Sequence, residues 1–239
     1  MFTGIVQGTA RLKVVAETDA VRTIHLESPT ALLHGLEVGG SVAVDGVCLT
    51  ATTVDSPFSA SFDVIAPTLA TTSLMHLSNG TLVNVERAAK QGTEIGGHLL
   101  SGHVDFSSTI DEVILFGANK GFRIALPAHL SSYIFPKGYI AINGVSLTVS
   151  ACDKSRGWFE VWLIPETRRR TNLDLKIIGD LLNIELERGT QVLVDTVRDA
   201  IERSLAKLTP ALQNFDSAIR EHVTAELAQS RQKLLTKGD

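Results

Sequence analysis

Cysteine is scarce in this sequence: 239 residues include only Cys48 and Cys152, which gives no disulfide framework and predicts reduced thiols in the cytoplasm. Long hydrophobic runs are also missing, as is a charged segment followed by an apolar run at the start. These absences argue against a membrane span and a secretory leader. Basic clusters are few, because the longest is residues 168–170 and the net charge is −4. Nucleic acid is therefore not an expected partner.

One ten-residue segment is present twice in the sequence. Residues 41–50 (SVAVDGVCLT) match residues 139–148 (YIAINGVSLT). At an offset of 98 positions, each apolar residue of the first segment aligns with an apolar residue of the second. Asp-Gly and Asn-Gly between alternating β-branched residues favour a tight hairpin, because both dipeptides tolerate positive φ. Each copy therefore predicts a strand, a turn and a strand, with Cys48 or Ser146 just after the turn.

The repeat extends beyond this hairpin. Residues 4–10 match 102–108, residues 62–64 match 159–161, and residues 83–86 match 182–185. Each copy contains several runs of about five residues in which apolar and polar residues alternate, the first of them within residues 5–12. Gly, Asp, Asn or Pro separates these runs. Many short strands of this kind are typical of a small all-β barrel. A short helix is predicted after Pro29 and after Pro127. The sequence thus predicts tandem six-stranded barrels over residues 1–97 and 98–190.

The pattern changes to a helical period at residue 191. Apolar residues recur every three or four positions, and Pro210 is expected to end this first helix. A second amphipathic stretch is predicted beyond Pro210. Periodicity alone leaves open whether residues 191–239 pack on their own barrel or bind another subunit. The apolar positions are Val192, Leu193, Val197, Ile201, Leu205, Leu208, Leu212, Phe215, Ile219, Val223, Leu227, Leu234 and Leu235.

Six segments, taken together and in order, resemble the riboflavin synthase family. They are residues 1–8 (MFTGIVQG), 46–50 (GVCLT), 83–90 (VNVERAAK), 95–103 (IGGHLLSGH), 144–148 (GVSLT) and 163–167 (LIPET). The resemblance implies two similar six-stranded Greek-key barrels and a C-terminal helix that assembles a homotrimer. It implies a four-carbon transfer between two molecules of 6,7-dimethyl-8-ribityllumazine that yields riboflavin and 5-amino-6-ribitylamino-uracil without a cofactor. Association with lumazine synthase is a further expectation.

The same resemblance implies the site residues. Catalytic roles are expected for Cys48, Ser146, His103, Glu187 and Phe2, with Glu187 orienting or deprotonating Ser146. Cys48 taken alone is more typical of a small buried apolar residue, and only the family resemblance favours a role in the site. Substrate contacts are expected from Gly4, Ile5, Val6, Cys48, Leu49, Thr50, Asp63, Val64, Ile65, Ala66, Pro67, Thr68, Gly102, His103, Val104, Lys137, Ser146, Leu147, Thr148, Trp162, Leu163, Ile164, Pro165, Glu166 and Thr167.

Some polar residues are given other roles. His98 and His103 lie five positions apart, which on a strand means opposite faces, so no metal site is expected and His98 is assigned to the domain junction. Residues 168–170 are interpreted as a solvated turn. Pro67 and Ala70 replace a glutamate and an arginine that the family usually has in the first barrel.

Two other functions are considered. A lumazine- or flavin-binding protein without activity would keep the same barrels. A flavin reductase would need a glycine-rich turn between a strand and a helix for its dinucleotide, and the sequence has no such turn. Retention of Cys48, Ser146 and Thr148 favours the enzyme.

Overall fold

The first barrel is closed and antiparallel, and its six strands lie side by side in the order first, second, fifth, fourth, third and sixth. A computed structural model describes residues 1–235, without the side chains of residues 208, 209, 211–213, 216 and 229–235. The strands are β1 (Gly8–Glu17), β2 (Val21–Glu27), β3 (Ser41–Val44), β4 (Val47–Ser56), β5 (Ser59–Ile65) and β6 (Leu82–Arg87). The first strand begins at Gly8 rather than at the predicted Ile5, because the chain before it leaves the barrel.

The second barrel repeats this order with its own six strands. Each barrel encloses its own apolar core, supplied by alternate residues of its strands. The prediction of two tandem six-stranded barrels is confirmed. The strands are β7 (Phe106–Phe116), β8 (Asn119–Ala125), β9 (Tyr139–Ile142), β10 (Val145–Asp153), β11 (Trp158–Leu163) and β12 (Leu181–Leu186).

A short helix connects the fifth and sixth strands of each barrel. These helices are α1 (Ala66–Thr71) and α2 (Pro165–Arg170), and each has a proline in its first turn. Short helices were also predicted after Pro29 and after Pro127, and the second of these is present. Ala128–Tyr133 forms a 3-10 helix, but residues 31–33 form only turns.

A single long helix, α3 (Arg188–Leu235), follows the second barrel and contains Pro210. The expected end of the helix at Pro210 is therefore wrong. Proline removes one backbone donor, but good helix formers on both sides allow the helix to continue. Val192, Val197, Ile201 and Leu205 are exposed. Leu208, Leu212, Leu234 and Leu235 lie outside the described side chains. No described helix is both long and apolar enough to cross a membrane.

The two barrels meet through a buried polar junction with approximate twofold symmetry. The Asn84 amide donates to the backbone oxygen of Asn143 at 3.0 Å, and the Asn183 amide donates to that of Asp45 at 2.9 Å. All four side chains are almost fully buried. Buried amides that have partners favour one arrangement over others, because any slippage leaves polar groups unsatisfied. The junction therefore fixes how the two hairpin turns face each other.

Candidate functional site

A cavity of about 560 Å³ opens beside Ser146 on the second barrel. Its volume lies in the range of about 300–1,000 Å³ that small-molecule sites usually have. Strand β10 supplies Ser146 at its start, and α2 forms the opposite wall. The lining consists of Gly4, Ile5, Val6, Gln7, Val145, Ser146, Ile164, Glu166, Thr167, Arg170 and Thr171.

A related but smaller cavity, of about 240 Å³, lies beside Cys48 on the first barrel. It is built from the equivalent elements, the start of β4 and helix α1. The two cavities have no lining residue in common. The lining consists of Val47, Cys48, Pro67, Thr68, Thr71, Thr72, Gly102, His103 and Val104.

The segment that precedes each barrel lines the cavity of the other barrel. The backbone N–H of Ser146 donates to the Gly4 oxygen at 2.9 Å, and that of Cys48 donates to the Gly102 oxygen at 2.8 Å. The repeat alone could not reveal this exchange, because it aligns Gly4 with the first barrel and Gly102 with the second. Each cavity therefore requires both halves of the chain.

Two glycines make this exchange possible. Gly4 has φ +75° and Gly102 has φ +78°, a conformation that other residues rarely adopt. A Cβ atom on Gly4 would lie 2.5 Å from the Ser146 Cβ, and one on Gly102 would lie 2.6 Å from the Cys48 Cβ. A larger residue at either position would push the segment away from the cavity.

Two buried glutamates hold the exchanged segments. Glu86 accepts hydrogen bonds from the backbone N–H groups of Thr3, at 2.6 Å, and Gly4, at 3.1 Å. Glu185 accepts equivalent bonds from Ser101, at 2.7 Å, and Gly102, at 3.0 Å. Burial raises the pKa of Glu86, and its bonds from Thr3 oppose that shift. Sequence reasoning missed these roles, although both copies keep Asn-x-Glu at this place.

His98 contacts Ser146 directly: its Nδ1 lies 2.6 Å from the Ser146 Oγ. Burial lowers the pKa of His98, and the negative charge of Glu187 partly opposes this effect. The ring stacks on Tyr139 with centroids 5.0 Å apart, which fixes its orientation. A neutral, oriented imidazole beside a hydroxyl can accept a proton. The assignment of His98 to the junction alone was incomplete.

Glu187 was expected to orient or deprotonate Ser146, but its carboxylate forms no hydrogen bond with Ser146 among the described residues. Its carboxylate accepts hydrogen bonds from the backbone N–H groups of Gly189, at 2.8 Å, and Thr190, at 2.6 Å, and so caps helix α3. Partial burial acts to raise the pKa of Glu187, but the bonds from Thr190 and Gly189 lower it. The charge of Glu187 is instead felt at His98, the residue that contacts Ser146.

Comparison with known proteins agrees with this duplicated architecture. The family model described as Lumazine binding domain matches residues 3–88 and again residues 101–187. The chain is 45% identical to the riboflavin synthase of Escherichia coli (strain K12) over 86% of this chain and 94% of that protein. The chain belongs to the riboflavin synthase family. It is also 41% identical to the riboflavin synthase of Chlamydia pneumoniae, over 85% of this chain and 98% of that protein.

Crystal structures of proteins with the same fold contain bound ligands. The crystal structure of LumP complexed with riboflavin has a TM-score of 0.72 and 26% identity, and covers 79% of this chain and 100% of that one. The crystal structure of LumP complexed with 6,7-dimethyl-8-(1'-D-ribityl) lumazine has a TM-score of 0.70 and 25% identity, over the same shares. The family resemblance read from six short motifs is confirmed.

Thirteen residues expected at the site of this family do line the cavities. At the Ser146 cavity they are Gly4, Ile5, Val6, Ser146, Ile164, Glu166 and Thr167. At the Cys48 cavity they are Cys48, Pro67, Thr68, Gly102, His103 and Val104.

Four residues expected to contact substrate have their side chains in the barrel cores, which leaves only their backbone atoms for a contact with a ligand. Alternation along a strand explains this result, because neighbours of a cavity-lining residue point to the opposite face. The four are Leu49, Val64, Leu147 and Leu163.

Phe2 is fully buried in the junction, where it forms a β-bridge with Leu100. Its side chain therefore positions the N-terminal segment, and the catalytic role expected from the family resemblance stays a prediction. The remaining expected contacts line neither of these two cavities, and their roles stay predictions. They are Thr50, Asp63, Ile65, Ala66, Lys137, Thr148, Trp162 and Pro165.

The three arginines after Thr167 are more than a solvated turn. Arg170 lines the Ser146 cavity and its Nε donates to Glu166 at 2.9 Å, while Arg168 forms an ion pair with Asp174 at 2.6 Å. Arg169 pairs with Glu166 but does not line the cavity. The sequence alone could not distinguish the contacts of these three arginines, because they are identical and adjacent.

Proposed function

We propose that this protein converts two molecules of 6,7-dimethyl-8-ribityllumazine into riboflavin and 5-amino-6-ribitylamino-uracil. The observation that carries the proposal is the pair of related cavities with different chemistry, a serine with a histidine in one and a cysteine in the other. A reaction between two identical molecules needs two similar sites. Because one molecule gives four carbons and the other accepts them, the two sites also need to differ.

The Ser146 cavity is suited to removing a proton. Ser146 alone is a weak base, but its Oγ lies 2.6 Å from His98 Nδ1, and burial keeps this imidazole neutral by lowering its pKa. A proton taken by the Ser146 oxygen can therefore pass to His98. The C7 methyl group of the lumazine is already acidic, so a moderate base in this position is sufficient. His98 Nε2 is buried and has no hydrogen-bond partner among the described residues.

Binding two substrates next to each other supplies much of the rate enhancement. Holding two reactants in a fixed orientation replaces a bimolecular encounter and contributes up to about 7–11 kcal/mol. The two cavities of one chain have no lining residue in common, so one chain offers no shared chamber for two stacked rings. We therefore place the reaction between the first barrel of one subunit and the second barrel of another.

Assembly is assigned to helix α3. Val192, Val197, Ile201 and Leu205 recur along it at helical spacing and are exposed in the single chain. Packing of these residues between subunits would form the homotrimer that the family resemblance implies, and would bring unlike barrels together. Association with lumazine synthase and a cytoplasmic location stay predictions. The location rests on the free thiols of Cys48 and Cys152.

Incubation of the purified protein with the lumazine tests this function. We expect the absorbance of riboflavin to appear at a rate that dialysis against a chelator leaves unchanged. A protein that binds the lumazine but forms no riboflavin would contradict the proposal and favour a role in ligand binding alone.

A further inference from the structure

A further cavity, of about 500 Å³, lies on the second barrel, between the hairpin of β7 and β8 and the chain that follows α2. None of its lining residues lines the Ser146 cavity or the Cys48 cavity. Its volume lies in the range of about 300–1,000 Å³ that is usual for small-molecule sites. One wall is apolar and consists of Val113, Leu115, Ile177 and Ile178.

The hairpin side of this wall has a polar counterpart in the first barrel. Leu115 pairs with Lys120 across the hairpin of β7 and β8, and Glu17 pairs with Arg22 at the equivalent place between β1 and β2. Glu17 accepts a hydrogen bond from the Arg22 Nε at 3.0 Å. The first barrel thus supplies its own carboxylate to the cation of the hairpin, whereas the second barrel has an exposed leucine there.

The other side of the wall differs between the barrels in the same way. Residues 177–178 (Ile-Ile) precede Gly179, and residues 78–79 (Ser-Asn) precede Gly80. The two glycines have φ +88° and +87°, so the two segments follow the same turn. Apolar residues therefore replace polar ones on both sides of the cavity in the second barrel. An apolar surface that a sister domain lacks is typical of a binding site.

The remaining lining residues are charged, and positive charge prevails. Lys120 is almost fully buried, and its ammonium group donates to the backbone oxygens of Asp174, at 2.7 Å, and Lys176, at 2.8 Å. An ammonium group has three donors, so one N–H of Lys120 has no hydrogen-bond acceptor among the described residues. Of the described lining residues only Asp174 is acidic, and its carboxylate is already paired with Arg168 at 2.6 Å.

We propose that this cavity binds a single-chain organic anion, a carboxylate on an unbranched apolar chain of medium length. The carboxylate would accept from the remaining N–H of Lys120 beside the charge of Lys176, in the place that Glu17 has in the first barrel. The chain would cover Leu115 and the two isoleucines, which are otherwise in contact with water. A buried donor favours a ligand with an acceptor, and the excess of positive charge favours an anion over a neutral lipid. The inference does not depend on the proposed function.

Calorimetric titration of the full-length protein with decanoate, below the concentration at which it forms micelles, tests the inference. We expect one decanoate to bind per chain. Octanoate, which is two methylenes shorter, should bind roughly 15-fold more weakly, because each buried methylene is worth about fourfold in affinity. Decyltrimethylammonium has the same chain length with a positive head group and should bind at least tenfold more weakly than decanoate.

Two variants copied from the first barrel locate the site. Leu115→Glu copies Glu17 and places a carboxylate opposite Lys120, so it should weaken decanoate binding at least tenfold. Phe116→Thr copies Thr18 and is the matched control, because Phe116 is exposed on the same hairpin but does not line the cavity. It should bind decanoate within twofold of the wild type. Thermal unfolding of both variants shows whether the fold is intact.

Four results would overturn the inference. The first is equal binding of decanoate by the wild type and Leu115→Glu. The second is displacement of decanoate by riboflavin, which would place the acid in the ligand cavities. The third is a smaller oligomer in Leu115→Glu, measured by sedimentation, which would mean that a second copy of the chain covers this face. The fourth is a wild-type protein that does not bind decanoate but pellets with phosphatidylglycerol vesicles, which would make a membrane lipid the occupant.

Discussion

Replacing Ser146 by alanine is expected to lower the turnover rate about 100- to 1,000-fold, the usual cost of losing one group that stabilises a transition state in an enclosed site. The fold should be unaffected, because the Ser146 backbone N–H still donates to Gly4. Binding of riboflavin should change little. Ser150→Ala is the matched control: Ser150 lies four residues along the same strand, is exposed and lines neither cavity.

His98 provides the second half of this test. His98→Phe keeps an aromatic ring to stack on Tyr139 and removes the nitrogen that contacts Ser146. If the two residues act together, the double variant with Ser146→Ala should be no slower than Ser146→Ala alone. Turnover measured for the wild type, both single variants and the double variant gives the coupling. A loss of less than threefold in Ser146→Ala, or additive losses, would contradict the proton transfer proposed here.

Replacing Asp45 by asparagine is expected to stabilise the protein at neutral pH. Asp45 is completely buried at the junction, and its Oδ2 has no hydrogen-bond partner among the described residues. Burial raises its pKa from 3.8 to about 6, although Lys176 and hydrogen bonds from Asn84 and Asn172 act in the opposite direction. The shift corresponds to about 3 kcal/mol that the charged carboxylate costs above pH 6.

The sign of the pH dependence follows from the raised pKa. Since the folded chain holds this proton more tightly than the unfolded chain, the contribution of Asp45 is favourable at low pH and is lost as the pH rises from about 4 through 6. Urea unfolding should therefore show Asp45→Asn more stable than the wild type by up to about 3 kcal/mol at pH 7.5, with the difference vanishing near pH 4.

Asn143→Asp is the mirror control for this prediction. Asn143 occupies the equivalent turn of the second barrel, with φ 46° against 44° for Asp45, and is equally buried. A carboxylate there should destabilise the protein at pH 7.5 by a similar amount. Equal stability of Asp45→Asn and the wild type at pH 7.5 would show that the junction tolerates the charge without cost.

The barrels were accessible to sequence reasoning because their signals are local. Asp45-Gly46 and Asn143-Gly144 each fix a turn, and alternation fixes the face of every strand around them. The same reasoning went wrong at Pro210, where the helix formers on both sides outweigh one lost hydrogen bond. The predicted first strand also began three residues too early, at Ile5. The sequence there continues the alternating pattern of a strand, but Ile5 and Val6 line the cavity of the other barrel.

The site was less accessible because its contacts join distant parts of the chain. The contact between His98 and Ser146 spans 48 residues, and no local pattern encodes it. Glu86 and Glu185 occupy the same position in the two copies of the repeat. Their role nevertheless depends on backbone N–H groups more than 80 residues away in the sequence. The repeat also aligned Gly4 and Gly102 with their own barrels, whereas the fold exchanges them.

Mixing two inactive variants tests most directly the claim that the reaction occurs between subunits. Cys48→Ala should impair every first-barrel site, and Ser146→Ala every second-barrel site. If the site joins a first barrel and a second barrel from different subunits, random exchange restores about a quarter of the sites, because each has a one-in-two chance of drawing each intact partner. We predict that unfolding and refolding the two variants together recovers up to about a quarter of wild-type activity, while each variant refolded alone keeps only its own low residual activity. No recovery in mixed oligomers, shown to contain both chains by mass spectrometry, would contradict the account and place both substrates on a single chain.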